Sequence, residues 1–207
     1  AAGRLYAGAM HPQERLDGIW ERRGTRWVQH LLDGPSLLAG YRSITFDAEG
    51  ALWISSAKRR APPLITRYRD GQWTFFRGNE GGRSNAWTYR MLDLDGSLWL
   101  AHCCGDRAQA DGQRMERIEG GERFQTWPVS NAFDLAPDDQ GRLWIATSGL
   151  ESVDASGLYR LDPRVDPPDS TSLFHVVVGT PGAALKSDML SAVAVEGNRV
   201  WIGYPGE

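Results

Sequence analysis

Ile44-Thr45-Phe46-Asp47-Ala48-Glu49-Gly50-Ala51-Leu52-Trp53-Ile54-Ser55-Ser56 reads as an apolar strand, an acidic turn closed by glycine, and a second strand built around tryptophan. The phrase returns as Met91-Leu92-Asp93-Leu94-Asp95-Gly96-Ser97-Leu98-Trp99-Leu100-Ala101-His102, and again as Leu135-Ala136-Pro137-Asp138-Asp139-Gln140-Gly141-Arg142-Leu143-Trp144-Ile145-Ala146-Thr147. A worn copy, Val193-Ala194-Val195-Glu196-Gly197-Asn198-Arg199-Val200-Trp201-Ile202-Gly203, stands near the end, and Leu5-Tyr6-Ala7-Gly8 is the tail of another. The four tryptophans are 46, 45 and 57 residues apart. A period in the forties carried by strand-like segments marks the blades of a β-propeller.

Working outward from Trp53, Leu64–Tyr68 supplies a third strand, and Asp70-Gly71 turns it into an outer strand at Gln72–Phe76. Asp-Gly between β-prone runs is a strong hairpin signal. Outer hairpins recur around Gly24 and Gly121, and in the next unit as Leu158–Leu161 followed by Leu173–Val178. The Pro- and Asp-rich stretch between those last two, Pro163–Ser172, accounts for most of the longest spacing and is read as a contact arm or loop. Gly and Pro interrupt every window long enough for a helix. The expected fold is all-β, with consecutive four-stranded antiparallel blades. Boundaries fall near a partial blade at 1–34, blades at 35–80, 81–130 and 131–187, and a partial blade at 188–207. Because the chain enters and leaves inside a repeat, we expect a partial ring of a larger propeller of six to eight blades. Closure into a small four-bladed ring is the alternative; it would duplicate the strand of Leu5–Gly8 with that of Val200–Gly203.

The 207 residues carry a net charge of −3, with 24 Gly and 9 Trp among them. Tight turns and aromatic fillers between packed sheets explain those two counts. The charge offers no field for nucleic acid or a membrane surface, and no apolar run is long enough to span a bilayer. Expected partners are therefore a small-molecule ligand or another protein, with no nucleic acid and no membrane insertion in this segment. Nearly all the cations are arginine, Lys58 and Lys186 excepted.

With the Asp-x-x-Gly-x-Leu-Trp-(Ile/Leu)-(Ala/Ser) phrase in place, the chain resembles the two-component regulator propeller repeat, whose relatives include the virginiamycin B lyase-like propellers. The resemblance covers nearly the whole chain and implies the fold. Members of the first kind are bacterial periplasmic or extracellular domains, often preceding a membrane-bound histidine kinase, where they sense ligands; the second kind includes a lyase that opens a cyclic lactone. The resemblance implies a periplasmic or extracellular setting. It carries no catalytic role to any position here, since the repeated residues serve structure.

Chemistry is expected on the loops that share one face around the central channel. His102-Cys103-Cys104-Gly105-Asp106 departs from the small residues at the same place in other units. Three readings compete for it: buried thiols packing between blades, a vicinal Cys103–Cys104 disulfide suited to an oxidising compartment, and a metal site. Adjacent cysteines lack zinc-knuckle spacing, and His11, His30 and His175 are scattered, so no metal is assigned. The turn carboxylates Asp47, Asp93, Asp95, Asp138 and Asp139 suit bonding to nearby backbone amides better than calcium. Trp53, Trp99, Trp144 and Trp201 are read as fillers between blades. Trp87 falls near the start of an inner strand, where it packs or stacks on a ligand. Arg59, Arg60 and Arg83 are candidates to clamp a carboxylate or phosphate. No nucleophile elbow, zinc helix or phosphate-cradling loop occurs, and no cofactor is expected. The favoured function is a non-catalytic binding module, ligand-sensing or protein-docking, of an exported bacterial protein. A lyase or hydrolase at the channel mouth is the competing class, with His102, Glu151 and Asp154 as acid–base candidates. A structural subunit of a larger assembly is the third.

Overall fold

A computed structural model describes residues 5–9, 18–30, 41–56, 64–77, 87–103, 114–121, 123–148, 156–165 and 172–206. Among them are seventeen strands and no helix. They pair as five antiparallel sheets, each in chain order. The first holds β1 (Leu5–Ala9), β2 (Gly18–Arg23) and β3 (Arg26–His30). The second holds β4 (Tyr41–Phe46), β5 (Leu52–Ser56), β6 (Leu64–Arg69) and β7 (Gln72–Arg77). The third is β8 (Trp87–Leu94), β9 (Ser97–Cys103), β10 (Arg114–Glu119) and β11 (Arg123–Ser130). The fourth is β12 (Ala132–Pro137), β13 (Leu143–Thr147), β14 (Gly157–Leu161) and β15 (Leu173–Val176). The fifth is β16 (Ala192–Glu196) and β17 (Arg199–Gly203). The expected succession of four-stranded antiparallel blades is present, flanked by a three-stranded and a two-stranded sheet.

The acidic turn does two jobs at once. Asp47 accepts the amides of Glu49 and Ala51 on one carboxylate oxygen and the Trp53 indole N–H on the other, at 2.8 Å. Asp138 repeats this with the amides of Gln140 and Arg142, the Trp144 indole N–H at 3.1 Å, and the Arg142 guanidinium at 2.7 Å. Gly50 and Gly141 close these turns with φ of 83° and 73°, a region open to glycine at no steric cost. In the third sheet the turn is one residue shorter. Asp95 and Gly96 (φ 52° and 75°) make it a two-residue turn. Asp93 is then free to reach sideways, and accepts the Ala48 amide of the second sheet.

The repeated indoles wedge between neighbouring sheets. Trp53 packs with Met91, Leu98, Leu100 and Ile118 of the third sheet. Trp99 packs with Ala132, Leu135, Leu143 and Ile145 of the fourth. Trp144 flanks a cluster that includes Val193 and Ile202 of the fifth. Between the first two sheets the filler is Ile19 against Leu52 and Ile54. Trp201 departs from the expected pattern, with 55% of its surface exposed against 1% for Trp53 and Trp99. A wedge needs a sheet on its far side, and none among the described residues covers β17 there.

A second repeat accompanies the wedges. Arg67, Arg117 and Arg160 are the register partners of Trp53, Trp99 and Trp144 on the adjoining strand. Each lays its guanidinium over the indole, at 5.6, 5.4 and 5.6 Å from the ring centroid. Each wedge therefore carries a cation–π lid.

Trp99→Ala is expected to destabilise the protein by about 3–5 kcal/mol, whereas Trp201→Ala, which opens no cavity, costs about 1 kcal/mol or less. Urea unfolding followed by circular dichroism measures both; equal losses would refute the wedge.

The turn carboxylates differ in their response to pH. Burial opposes ionisation of Asp138, but the hydrogen bonds from Arg142, Trp144 and Gln140 outweigh it and hold the carboxyl below its ordinary value. Asp93 is pushed above its ordinary value, chiefly by burial and further by Asp47 and Asp95, against the Ala48 and Gly96 amides. A depressed carboxylate stabilises the fold above the ordinary carboxylate range and loses that contribution as pH falls through its folded value. Asp138→Asn should therefore cost about 1–3 kcal/mol at neutral pH, with the loss shrinking on acidification. Asp93→Asn should be neutral or stabilising at neutral pH. Unfolding midpoints across that pH range test the contrast.

Candidate functional site

Along the inner edge, the innermost strands β4, β8 and β12 each carry a register shift at one place. It falls between Tyr41 and Ser43, between Thr88 and Arg90, and between Ala132 and Asp134. A bulge leaves one residue outside the ladder and re-aims its side chain. The extra residues are Arg42, Tyr89 and Phe133. They form a row across three sheets. The Arg42 guanidinium lies 5.2 Å from the Tyr89 ring centroid, and the Tyr89 and Phe133 rings meet at 5.0 Å and 52°. Trp87, two residues before Tyr89, lies under the same guanidinium at 5.4 Å. Arg42 is exposed, and the three rings are half-buried. Trp87 thus sits at the start of an inner strand, as its place in the repeat suggests.

The residue after each bulge ties the sheets together. Ser43 accepts the Met91 amide at 2.9 Å, and Asp134 accepts the Val193 amide at 3.0 Å on one oxygen. At the equivalent place in the third sheet, Arg90 has no acceptor to offer. The Leu135 amide turns instead to the other oxygen of Asp134, which Arg90 also meets at 3.5 Å.

His102 occupies the register place of Ser56 and Thr147 at the end of β9. It is 1% exposed, and Glu116, which lies diagonally across on β10 in register with Leu100, is fully buried. The His102 Nε2 lies 3.1 Å from a Glu116 carboxylate oxygen, and Nδ1 lies 3.1 Å from the Thr88 hydroxyl. Both contacts hold whichever form the ring takes. As neutral imidazole, it donates to Glu116 and accepts from Thr88; as imidazolium, it donates to both. An acid–base reading of His102 required a carboxylate within reach, and the structure supplies one that the sequence did not point to. The hydroxyl, imidazole and carboxylate come from three consecutive strands of one sheet, and all three are buried. A Glu two residues into a strand otherwise reading as an edge hairpin was the available signal; nothing local tied it to His102.

Cys103 is buried on β9 and held in a disulfide. The sequence has one other cysteine, Cys104, which lies outside the described residues. Arg59, Arg60, Arg83, Glu151, Asp154, His11 and the side chain of His30 also lie outside them. His175 stacks flat on Tyr159 at 4.0 Å and 5°, with its Nε2 2.7 Å from the Ser156 carbonyl. Burial raises the Tyr159 hydroxyl above its ordinary value.

Removing His102 leaves a buried carboxylate without its imidazole partner. His102→Ala is expected to cost about 3–5 kcal/mol, and the double variant His102→Leu with Glu116→Leu distinctly less than the sum of the single losses. A double-mutant cycle by urea unfolding reads the coupling; strictly additive losses would show the pair to be energetically idle.

Residues 126–149 match the family described as two component regulator propeller. That segment spans the end of β11, the bulged strand β12, the Asp138 turn and the Trp144 strand. No curated protein matches the chain. Solved structures that share its fold include three bacterial ones. One is the extracellular domain of BT4673 of B. thetaiotaomicron, assigned as a one component system: TM-score 0.62, 17% identity, covering 92% of this chain and 27% of that one. Another is PorZ of Porphyromonas gingivalis, a surface component of the type-IX secretion system: TM-score 0.61, 17% identity, 98% and 30%. The third is the extracellular domain of BT3049 of B. thetaiotaomicron, assigned as a hybrid two component system: TM-score 0.50, 20% identity, 69% and 19%. The chain thus spans less than a third of each of these proteins.

Proposed function

We propose that this chain is a non-catalytic binding module, a ligand-sensing or protein-docking sector of a β-propeller in an exported bacterial protein. The observation that carries the reading is the inner-edge row. The fold repeats one backbone device in three sheets and varies the side chain displayed there, Arg42, Tyr89 and Phe133, while the wedge tryptophan stays constant. The acid–base group with a complete set of partners, His102, is by contrast sealed between sheets. Relatives in fold include extracellular domains and a surface component, and an oxidised Cys103 suits an oxidising compartment. The expected setting is accordingly periplasmic or extracellular. The partner is a small molecule or a protein rather than nucleic acid, given the net charge of −3. The loops bearing Arg59, Arg60, Arg83, Glu151 and Asp154 are proposed to rim the same channel. Among the described residues no helix is long and apolar enough to cross a membrane.

A second reading is favoured by one observation, the Thr88–His102–Glu116 alignment, whose order of groups is that of a hydrolytic triad. The two readings separate in a single assay. The purified chain is incubated with a panel of lactones and esters and the products followed by mass spectrometry, while a thermal-shift screen scores binding. Binding without turnover is the expected outcome. Turnover that disappears in Glu116→Gln, in protein that still melts cooperatively, would replace the binding reading with a hydrolytic one.

A further inference from the structure

We infer that Arg42, Trp87, Tyr89 and Phe133 form a recognition site for a small aromatic carboxylate; the inference rests on the reading of the chain as a binding module and names its ligand class. Arg42 is the cation of that site. Arg67, Arg90, Arg117 and Arg142 each come within 3.8 Å of a carboxylate oxygen. Arg42 has no such partner among the described residues, and its contacts are the two rings. Rings that face a guanidinium leave its in-plane N–H fork unused, and that fork matches a carboxylate in bidentate geometry. Arg160 also lies over two rings, Trp144 and Phe174, but on β14, two strands behind the inner edge, whereas Arg42 stands exposed on an innermost strand beside the half-buried rings of Trp87 and Tyr89.

The acidic neighbour in the row is already committed. Asp134 accepts the Leu135 amide on one oxygen and the Val193 amide on the other, and meets Arg90 as well. Its charge is thus shared with Arg90 and these amides rather than with Arg42. Beside the cation, Tyr89 and Phe133 present half-buried rings whose centroids are 5.0 Å apart. An aromatic ligand body stacks or packs edge-on against such rings, a contact with the geometric preference that π-systems impose. Cation first and rings next to it, in a line, select a ligand with its carboxylate at one end and a flat apolar body at the other.

The row also lies where a ligand can be tied to the rest of the fold. Each displayed residue is immediately followed by the residue that joins or charges the next sheet: Ser43, Arg90 and Asp134. Filling the row therefore acts on three sheets at once.

The test uses 2-naphthoate and its neutral counterpart 2-naphthamide, titrated by calorimetry into the purified chain and its variants. Wild type is expected to bind the naphthoate at least about tenfold more tightly than the amide. Arg42→Gln should abolish that preference, and Arg42→Lys should keep only part of it, because lysine retains the charge without the planar fork. Tyr89→Leu and Phe133→Leu should weaken both ligands by similar factors, with circular dichroism and melting unchanged for every variant. Equal binding of the two ligands, a preference that survives Arg42→Gln, or no binding up to about 10 mM would overturn the inference. If the naphthoate fails while another compound raises the melting temperature of the chain, the ligand class falls and the binding-module reading stands. Turnover without binding preference sinks both.

Discussion

Everything in this molecule depends on an indole pressed between two sheets, held in two of its three copies by a carboxylate at the corner of a turn. A blade of short strands has two faces and cannot cover either alone; each must be buried by its neighbour. In three sheets the wedge does this with a tryptophan at the repeated position, and the Asp47 and Asp138 turns fix its angle in two of them by accepting the indole N–H. That hydrogen bond also removes the cost of burying a polar nitrogen. The facing arginine then covers the outer side of the ring. Wedge and lid recur together in three sheets, and the strands between them are free to differ.

The freedom is used at the inner edge. A bulge costs a rung of the ladder and gives in return a side chain aimed out of the sheet. Placed at the same register in three sheets, the bulges create a row whose backbone is rigid and whose chemistry is open to change. The positions immediately after the bulges are not free, because they carry the hydrogen bonds between sheets. Arg90 breaks that rule by offering no acceptor, and Asp134 compensates by serving two amides and a guanidinium. A display position and a joining position thus alternate along the same strand.

The buried Thr88–His102–Glu116 chain brings two ionisable groups together in the interior of one sheet, whereas the buried Glu21 of the first sheet pairs with the exposed Arg23. The other sheets have Ser56 and Thr147 where this one has His102. Fully satisfied polar networks of this kind rigidify a core and penalise any packing that leaves one member unpaired. Such a network makes the third sheet, which also holds the shorter turn and the oxidised Cys103, the most individual of the five.

What the amino-acid sequence determined by itself was local and periodic. The spacing of Trp53, Trp99 and Trp144 gave the blades, Asp-Gly pairs gave the hairpins, and the small residues after each tryptophan exposed His102 as an oddity. Trp87 was placed on an inner strand from its position in the repeat alone. Tertiary structure decided the rest. The pairing of Glu116 with His102 joins residues fourteen apart through a register that neither residue encodes. The row of Arg42, Tyr89 and Phe133 exists because three bulges coincide, and a bulge is invisible where alternation is already imperfect. The exposure of Trp201 shows the same limit from the other side: the motif names a wedge, but only a neighbouring sheet can bury it. Short-range chemistry writes turns and strands into a chain, whereas a site assembled across sheets depends on register and on contacts that form only once the sheets have met.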